Sequence, residues 1–224
     1  MGRPLIETRP FGDAALQVVL GRTADPATVA RVHAFAASVT ADRMAGTPWG
    51  PPVPGMTTVL VPFDQRAMDQ GDAAMRLMGL AGAAADATAS LGRAPRLHRI
   101  PVRYGGEHGP DLAVVAERLG LVPDQVVELH ASVCYMVYII GFMPGFAYLG
   151  DLPEGLMLPR RDTPRQRVPP GSVAIAGRHT AAHPASTPGG WHLIGWTAVR
   201  PWDIERDPPA LLRPGDQVRF EPLG

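Results

Sequence analysis

The chain has 224 residues, 46% apolar and 19% charged, a composition that excludes extended disorder and provides enough length for about one and a half domains. Formal net charge is zero at pH 7, so electrostatics makes no case for a nucleic-acid binder or an anionic-membrane binder. All 21 basic residues are arginine, which excludes a Walker-type phosphate loop, a Schiff-base lysine and a biotinyl-lysine on this chain.

Residues 1–10 are polar and lack the apolar core of a signal peptide. Residues 14–20 form an apolar run after a Phe11-Gly12-Asp13 turn and predict a strand. Asp25-Pro26 supplies an N-cap and a first-turn proline, and Val29, Val32, Ala36 and Val39 follow at helical spacing. Residues 44–55 hold four prolines and three glycines and read as a mobile loop. Residues 57–61 are β-branched and predict a second strand, and Met68, Met75 and Met78 line what reads as the core face of a second helix. This β-α-β-α order describes a small sheet with helices on one side.

Residues 91–95 are the best linker, which places a domain boundary at 93/94. Residues 96–103 alternate as a strand, Gly105-Gly106 turns the chain, and Leu112, Val115, Ala116 and Leu119 predict a helix stopped by Gly120. Pro123 begins another helix ending near His130. Residues 133–150 carry no charge over 18 positions, the length of a membrane span, but Pro144 and glycines 141, 145 and 150 make a buried strand and tight loop the better reading. Short strands punctuated by Pro-Gly turns then predict a barrel or sandwich in a soluble protein. The single Cys134 excludes an intrachain disulfide and fits a reducing cytoplasm.

Several segments carry possible chemistry. Residues 105–109, glycine-rich before a helix, could present N–H groups to an anion, although Glu107 opposes one. His179 and His183 lie four apart, with His192 further on, but Pro184 argues against a helix and no third ligand is obvious, so surface histidines and no metal are expected. Residues 141–149 hold three aromatics among Gly and Pro, which suits either an aromatic-lined ligand loop or a rigid core corner. Residues 160–167 hold four arginines, which read as a solvated surface or as a cluster converging on carboxylate or phosphate oxygens.

Three blocks together resemble a known family. One is His130-Ala131-Ser132 followed by Tyr138-Ile139-Ile140-Gly141-Phe142-Met143-Pro144-Gly145-Phe146-Ala147-Tyr148-Leu149-Gly150. The second is Pro159-Arg160 with Thr163-Pro164-Arg165 and Val168-Pro169-Pro170-Gly171-Ser172-Val173. The third joins Ser186-Thr187-Pro188-Gly189-Gly190-Trp191, Ile194-Gly195-Trp196-Thr197 and Pro214-Gly215-Asp216-Gln217-Val218-Arg219-Phe220. Their order and spacing resemble the PxpB/KipI family, also labelled allophanate hydrolase subunit 1 or carboxyltransferase subdomains C and D. One departure stands out. Where relatives commonly show Gln-Thr-Gly-Ile-Tyr-Pro, this chain has His179-Thr180-Ala181-Ala182-His183-Pro184.

The resemblance implies an α+β N-terminal domain (1–93) followed by a cyclophilin-like β-barrel domain (94–224). It also implies a cytoplasmic subunit of an ATP-dependent 5-oxoprolinase, opening 5-oxo-L-proline to L-glutamate with a PxpC/KipA-type partner and a separate PxpA-type subunit. ATP, with Mg as its counter-ion, would be bound by the complex, and no biotin by this chain. Alternatives are a KipI-like inhibitor of a sensor histidine kinase, or a subunit in urea or allophanate metabolism. On this reading His130 and Arg165 are the catalytic candidates. Arg160, Phe142, Pro144, Gly145, Phe146 and Tyr148 are the candidates for binding substrate or nucleotide.

Overall fold

The computed structural model describes residues 6–86 and 94–223, in two compact units, Met1–Ala94 and Pro95–Gly224. The linker expected over residues 91–95 lies largely outside the described residues. No helix among the described residues is long and apolar enough to cross a membrane.

The first unit follows the order β1 (Glu7–Pro10), β2 (Ala15–Val19), α1 (Pro26–Met44), β3 (Val53–Pro54), β4 (Thr58–Pro62) and α2 (Gln70–Asp86). Its strands form an antiparallel sheet, β1-β2-β4-β3. Alternation along β2 and β4 buries Leu16, Val18, Val59 and Val61, which share one core with Val32 and Phe35 of α1 and Leu77 of α2. Asp25 caps α1, its Oδ1 accepting the Thr28 N–H at 2.8 Å. The edge strands β1 and β3 add to the sequence expectation; both are short, and each contains a proline that interior strands exclude.

Two expectations for this unit are corrected. Residues 44–55 are tied down: β3 pairs with β4, and Trp49 is buried with its Nε1 donating to Asp42 Oδ2 at 2.8 Å. Of the methionine stripe only Met68 packs against the core. Met75 and Met78 are exposed, and α2 buries Ala73, Leu77, Ala81 and Ala84 instead, so the helix packs through small side chains.

The second unit runs β5 (Leu97–Tyr104), α3 (Leu112–Leu119), α4 (Pro123–Ser132), β6 (Tyr135–Ile140), β7 (Ala147–Gly150), β8 (Arg165–Val168), β9 (Ser172–Ala176), β10 (His179–Ala182), β11 (Thr187–Gly189), β12 (His192–Trp196) and β13 (Gln217–Pro222). Seven strands close into a barrel, β10-β7-β6-β13-β5-β12-β9, with β5 and β13 parallel and the other pairs antiparallel. This is the barrel fold the resemblance implied. β8 and β11 form a separate two-stranded ribbon.

The barrel wall has two buried faces, and the period of two sorts its residues between them. Val173 and Ile175 of β9, Leu149 of β7 and Ile194 of β12 enter the interior core, with Leu112 and Val115 of α3. Ala174 and Ala176, Ala181 and Leu193 point the other way, into a second core with Phe146, Trp191 and Val168 of the ribbon. Alanine at three wall positions leaves room there for large rings.

Candidate functional site

A hollow of about 140 Å³ opens beside this second core. Phe146 is its hub, with ring centroids 4.9 Å from Tyr148, 5.2 Å from His183, 5.5 Å from Phe142 and 5.7 Å from Trp191, all edge-on. Edge-to-face packing fixes each ring by its neighbours, so the walls are preformed. Phe142 stands at the rim, exposed and in the left-handed region at φ 68°, a conformation costing of order 1–3 kcal/mol for a residue with a side chain.

Arg160 is the cation of this hollow. Its backbone is anchored on both sides: His192 Nε2 donates to the Pro159 carbonyl at 3.0 Å, and the Arg161 N–H donates to the Gly190 carbonyl at 2.8 Å. Asp111 binds the neighbouring guanidinium groups of Arg161 and Arg165 and leaves Arg160 out. Burial raises the Tyr148 phenol above its ordinary range, against the opposing charge of Arg160, so Tyr148 remains a neutral O–H at pH 7.

His183 forms part of the lining. It follows β10 on the same face as Ala181. Its backbone N–H donates to the Ser172 carbonyl at 2.9 Å and its carbonyl accepts from the Gly171 N–H at 2.7 Å. The side chain is 3% exposed, and neither ring nitrogen has a hydrogen-bond partner. Burial lowers its pKa to about 4, which keeps the ring neutral at pH 7.

Four of the sequence candidates meet here: Phe142, Phe146, Tyr148 and Arg160. The others lie elsewhere. Gly145 serves the turn, at φ 77°, where a Cβ would come within 2.6 Å of Trp202 Cβ, and Pro144 is exposed beside it; neither lines the hollow.

His130, a catalytic candidate in the sequence, is placed in the barrel interior, fully buried and stacked on Phe220 at 4.7 Å. Its Nδ1 meets Tyr104 Oη at 2.7 Å and its Nε2 meets Thr180 Oγ1 at 2.9 Å. Thr180 donates its own hydroxyl proton to the Ala174 carbonyl, so the ring carries its proton on Nε2 and accepts from Tyr104 at Nδ1. Burial pushes its pKa down to about 3. Both nitrogens are occupied, and the ring has no open face for a substrate.

Arg165 pairs across the ribbon with Gly189 of the aromatic hollow but does not itself line it. It grips buried Asp111 with two hydrogen bonds at 2.8 Å, while Asp111 also accepts from Arg161 at 2.9 Å and from the Leu193 N–H at 2.7 Å. Burial pushes the Asp111 pKa up, but those bonds and charges outweigh it and hold the carboxyl below its usual range. Arg165 and Arg167 border a larger, more open hollow of about 520 Å³ beside His108 and Trp196, whose rings stack at 5.5 Å. The glycine turn at residues 105–109 has a packing role, since a Cβ on Gly109 would sit 2.1 Å from the Ile194 carbonyl oxygen.

The histidines expected at the surface are also corrected: His183 and His192 are buried, and His179 packs edge-on to Tyr138 and Tyr148. The described residues contain no group of three His, Cys, Asp or Glu side chains placed to hold a metal. Trp191 and Asp111 are not among the sequence candidates, and the sequence reads His183 as a surface histidine within a departure from the family motif. One signal for His183 was there: strand parity puts 179, 181 and 183 on one face.

In comparison with known proteins, residues 6–212 match the family described as carboxyltransferase domain, subdomain C and D. The chain is 60% identical over 127 residues to a 5-oxoprolinase subunit of Escherichia coli O157:H7, a match covering 57% of this chain and 58% of that protein. The matched stretch thus spans little more than half the length of that relative. A crystal structure of a conserved uncharacterized protein from Pyrococcus horikoshii is 34% identical, covers 97% of both chains and has a TM-score of 0.56. Kluyveromyces lactis urea carboxylase shares the fold, with a TM-score of 0.77 over 99% of this chain and 22% of that one, at 19% identity.

Proposed function

The chain belongs to the carboxyltransferase family of subdomains C and D, and on that premise we propose that it is a subunit of an ATP-dependent 5-oxoprolinase acting in the cytoplasm. The observation that carries this reading is the 60% identity to a bacterial 5-oxoprolinase subunit. The aromatic hollow supports it chemically. Substrate 5-oxo-L-proline is a small planar lactam with one carboxylate. Arg160 pairs with that carboxylate, and the rings of Phe146, Tyr148 and Trp191, packed edge-on against one another, form a single wall on which the flat ring lies.

The reaction needs ATP because an unstrained lactam resists water. The γ-phosphoryl group passes to the lactam oxygen and ADP leaves. Water adds to the activated carbon, the C–N bond opens with its nitrogen taking a proton, and a second water releases phosphate. This chain's part is to orient the lactam and exclude water until the phosphoryl group has moved.

Nucleotide does not fit the aromatic hollow, whose 140 Å³ is below the roughly 300–1,000 Å³ of sites for drug-sized ligands. The larger hollow has room, but Arg165 is engaged there by Asp111. ATP and its Mg therefore sit chiefly on a PxpC/KipA-type partner, with a PxpA-type subunit completing the enzyme. Purified alone, the chain releases no glutamate. Combined with both partner subunits it releases glutamate and ADP from 5-oxo-L-proline, and a complete set that remains silent rejects the assignment.

A further inference from the structure

A buried polar atom without a partner costs roughly 1–3 kcal/mol, and His183 has two of them at the hollow. Its ring is held by the chain on either side and by Phe146. An aromatic hydrocarbon would fill the same slot without that cost, so packing does not account for an imidazole. The other buried histidines differ in degree: His130 uses both nitrogens, and His192 uses one to hold Pro159 and leaves one unmatched, whereas His183 leaves both.

We propose that His183 is the specificity-determining residue of the hollow, a neutral imidazole whose free nitrogen accepts a hydrogen bond from an amide N–H of the ligand. The class of ligand follows from the groups around it. Arg160 selects a carboxylate, the edge-on rings select a flat single ring, and His183 selects a ring bearing N–H over one bearing oxygen. In the present rotamer the Cε1 edge of the ring faces Gly189, with Cε1 lying 3.7 Å from where a Cβ on that lining residue would sit. Turning the ring over by 180° in the same slot puts Nε2 at that edge.

This inference rests on the proposed lactam site, and the test separates the two. Two probes are used, 5-oxo-L-proline and its lactone analogue, 5-oxotetrahydrofuran-2-carboxylate, which keeps the carboxylate and replaces N–H by oxygen. The first measurement is nitrogen-15 NMR of the imidazoles in the full chain, with His183→Gln and His183→Leu assigning the signal. The second is KM for both probes in the reconstituted complex.

The expected result is a His183 nitrogen shift with the lactam and little with the lactone. In the complex the lactam is preferred by about 10- to 100-fold, a preference lost in His183→Leu and partly restored in His183→Gln, whose side-chain amide also accepts. A His183 signal that saturating lactam leaves in place overturns the inference, as does an unchanged preference in His183→Leu. A shift without turnover supports His183 and rejects the 5-oxoprolinase reading. Turnover without a shift does the reverse.

Discussion

Two histidines, His130 of α4 inside the barrel and His183 just past β10 on its outer side, are treated alike by burial and oppositely by hydrogen bonding. Inside, His130 is neutral, with each nitrogen matched to a hydroxyl. Outside, His183 is neutral and matched to nothing. The arginines divide in the same way: Arg165 is consumed by buried Asp111, while Arg160 stands at the hollow. A group whose bonds are complete within the chain maintains the fold, and a group with bonds left over is available to a ligand. On the proposed function, His130 and Arg165 serve stability, and Arg160 and His183 serve recognition.

The largest effect expected from this contrast is at His130. His130→Ala opens a cavity among Tyr104, Tyr135 and Phe220 and strips two hydroxyls of a partner, so unfolding in urea should show a loss of about 2–5 kcal/mol. A loss under 1 kcal/mol would break the assignment of His130 to the interior framework.

Next is Arg165→Ala, which removes two of the hydrogen bonds on a buried carboxylate but leaves those from Arg161 and the Leu193 N–H. The same measurement should give about 2–3 kcal/mol. If stability held and only turnover fell, Arg165 would belong with the ligand groups after all.

Acid sharpens the comparison. The folded pKa values of about 3 for His130 and about 4 for His183 lie below the 6.5 of the free side chain. The unfolded chain therefore binds more protons, and stability, full above about pH 6.5, falls as pH drops through the window from 6.5 towards 4 and then 3. By pH 5 each histidine costs about 2 kcal/mol relative to pH 7. His183→Leu should remove one share of that loss, and a denaturation midpoint identical at pH 7 and pH 5 would contradict both burials.

The smallest stability effect is expected at Arg160. Arg160→Ala should change unfolding free energy by less than about 0.5 kcal/mol, because no carboxylate among the described residues depends on it. KM for 5-oxo-L-proline in the reconstituted complex should nevertheless rise about 10- to 100-fold. A large loss of stability with unchanged KM would make Arg160 another framework residue.

Much of this was legible in the sequence, and for identifiable reasons. Asp25-Pro26 placed the start of α1 and Gly120 the end of α3, because caps and left-handed stops depend on the local chain alone. The aromatic loop at residues 141–149 was visible as an ordered cluster of rings and turn residues, and three of its aromatics do line the hollow. Met75 and Met78 misled because helical spacing fixes which residues share a face without saying which face is covered.

The sequence by itself determined the local elements, the family and the absence of lysine chemistry, since each depends on residue identity and spacing along the chain. Only the tertiary structure decided which of several histidines and arginines remained available. Asp111 and Arg165 are 54 positions apart, and Thr180 lies 50 positions beyond His130. Partners at that separation meet through barrel closure, and whether a polar group is satisfied or left over depends on who those partners are.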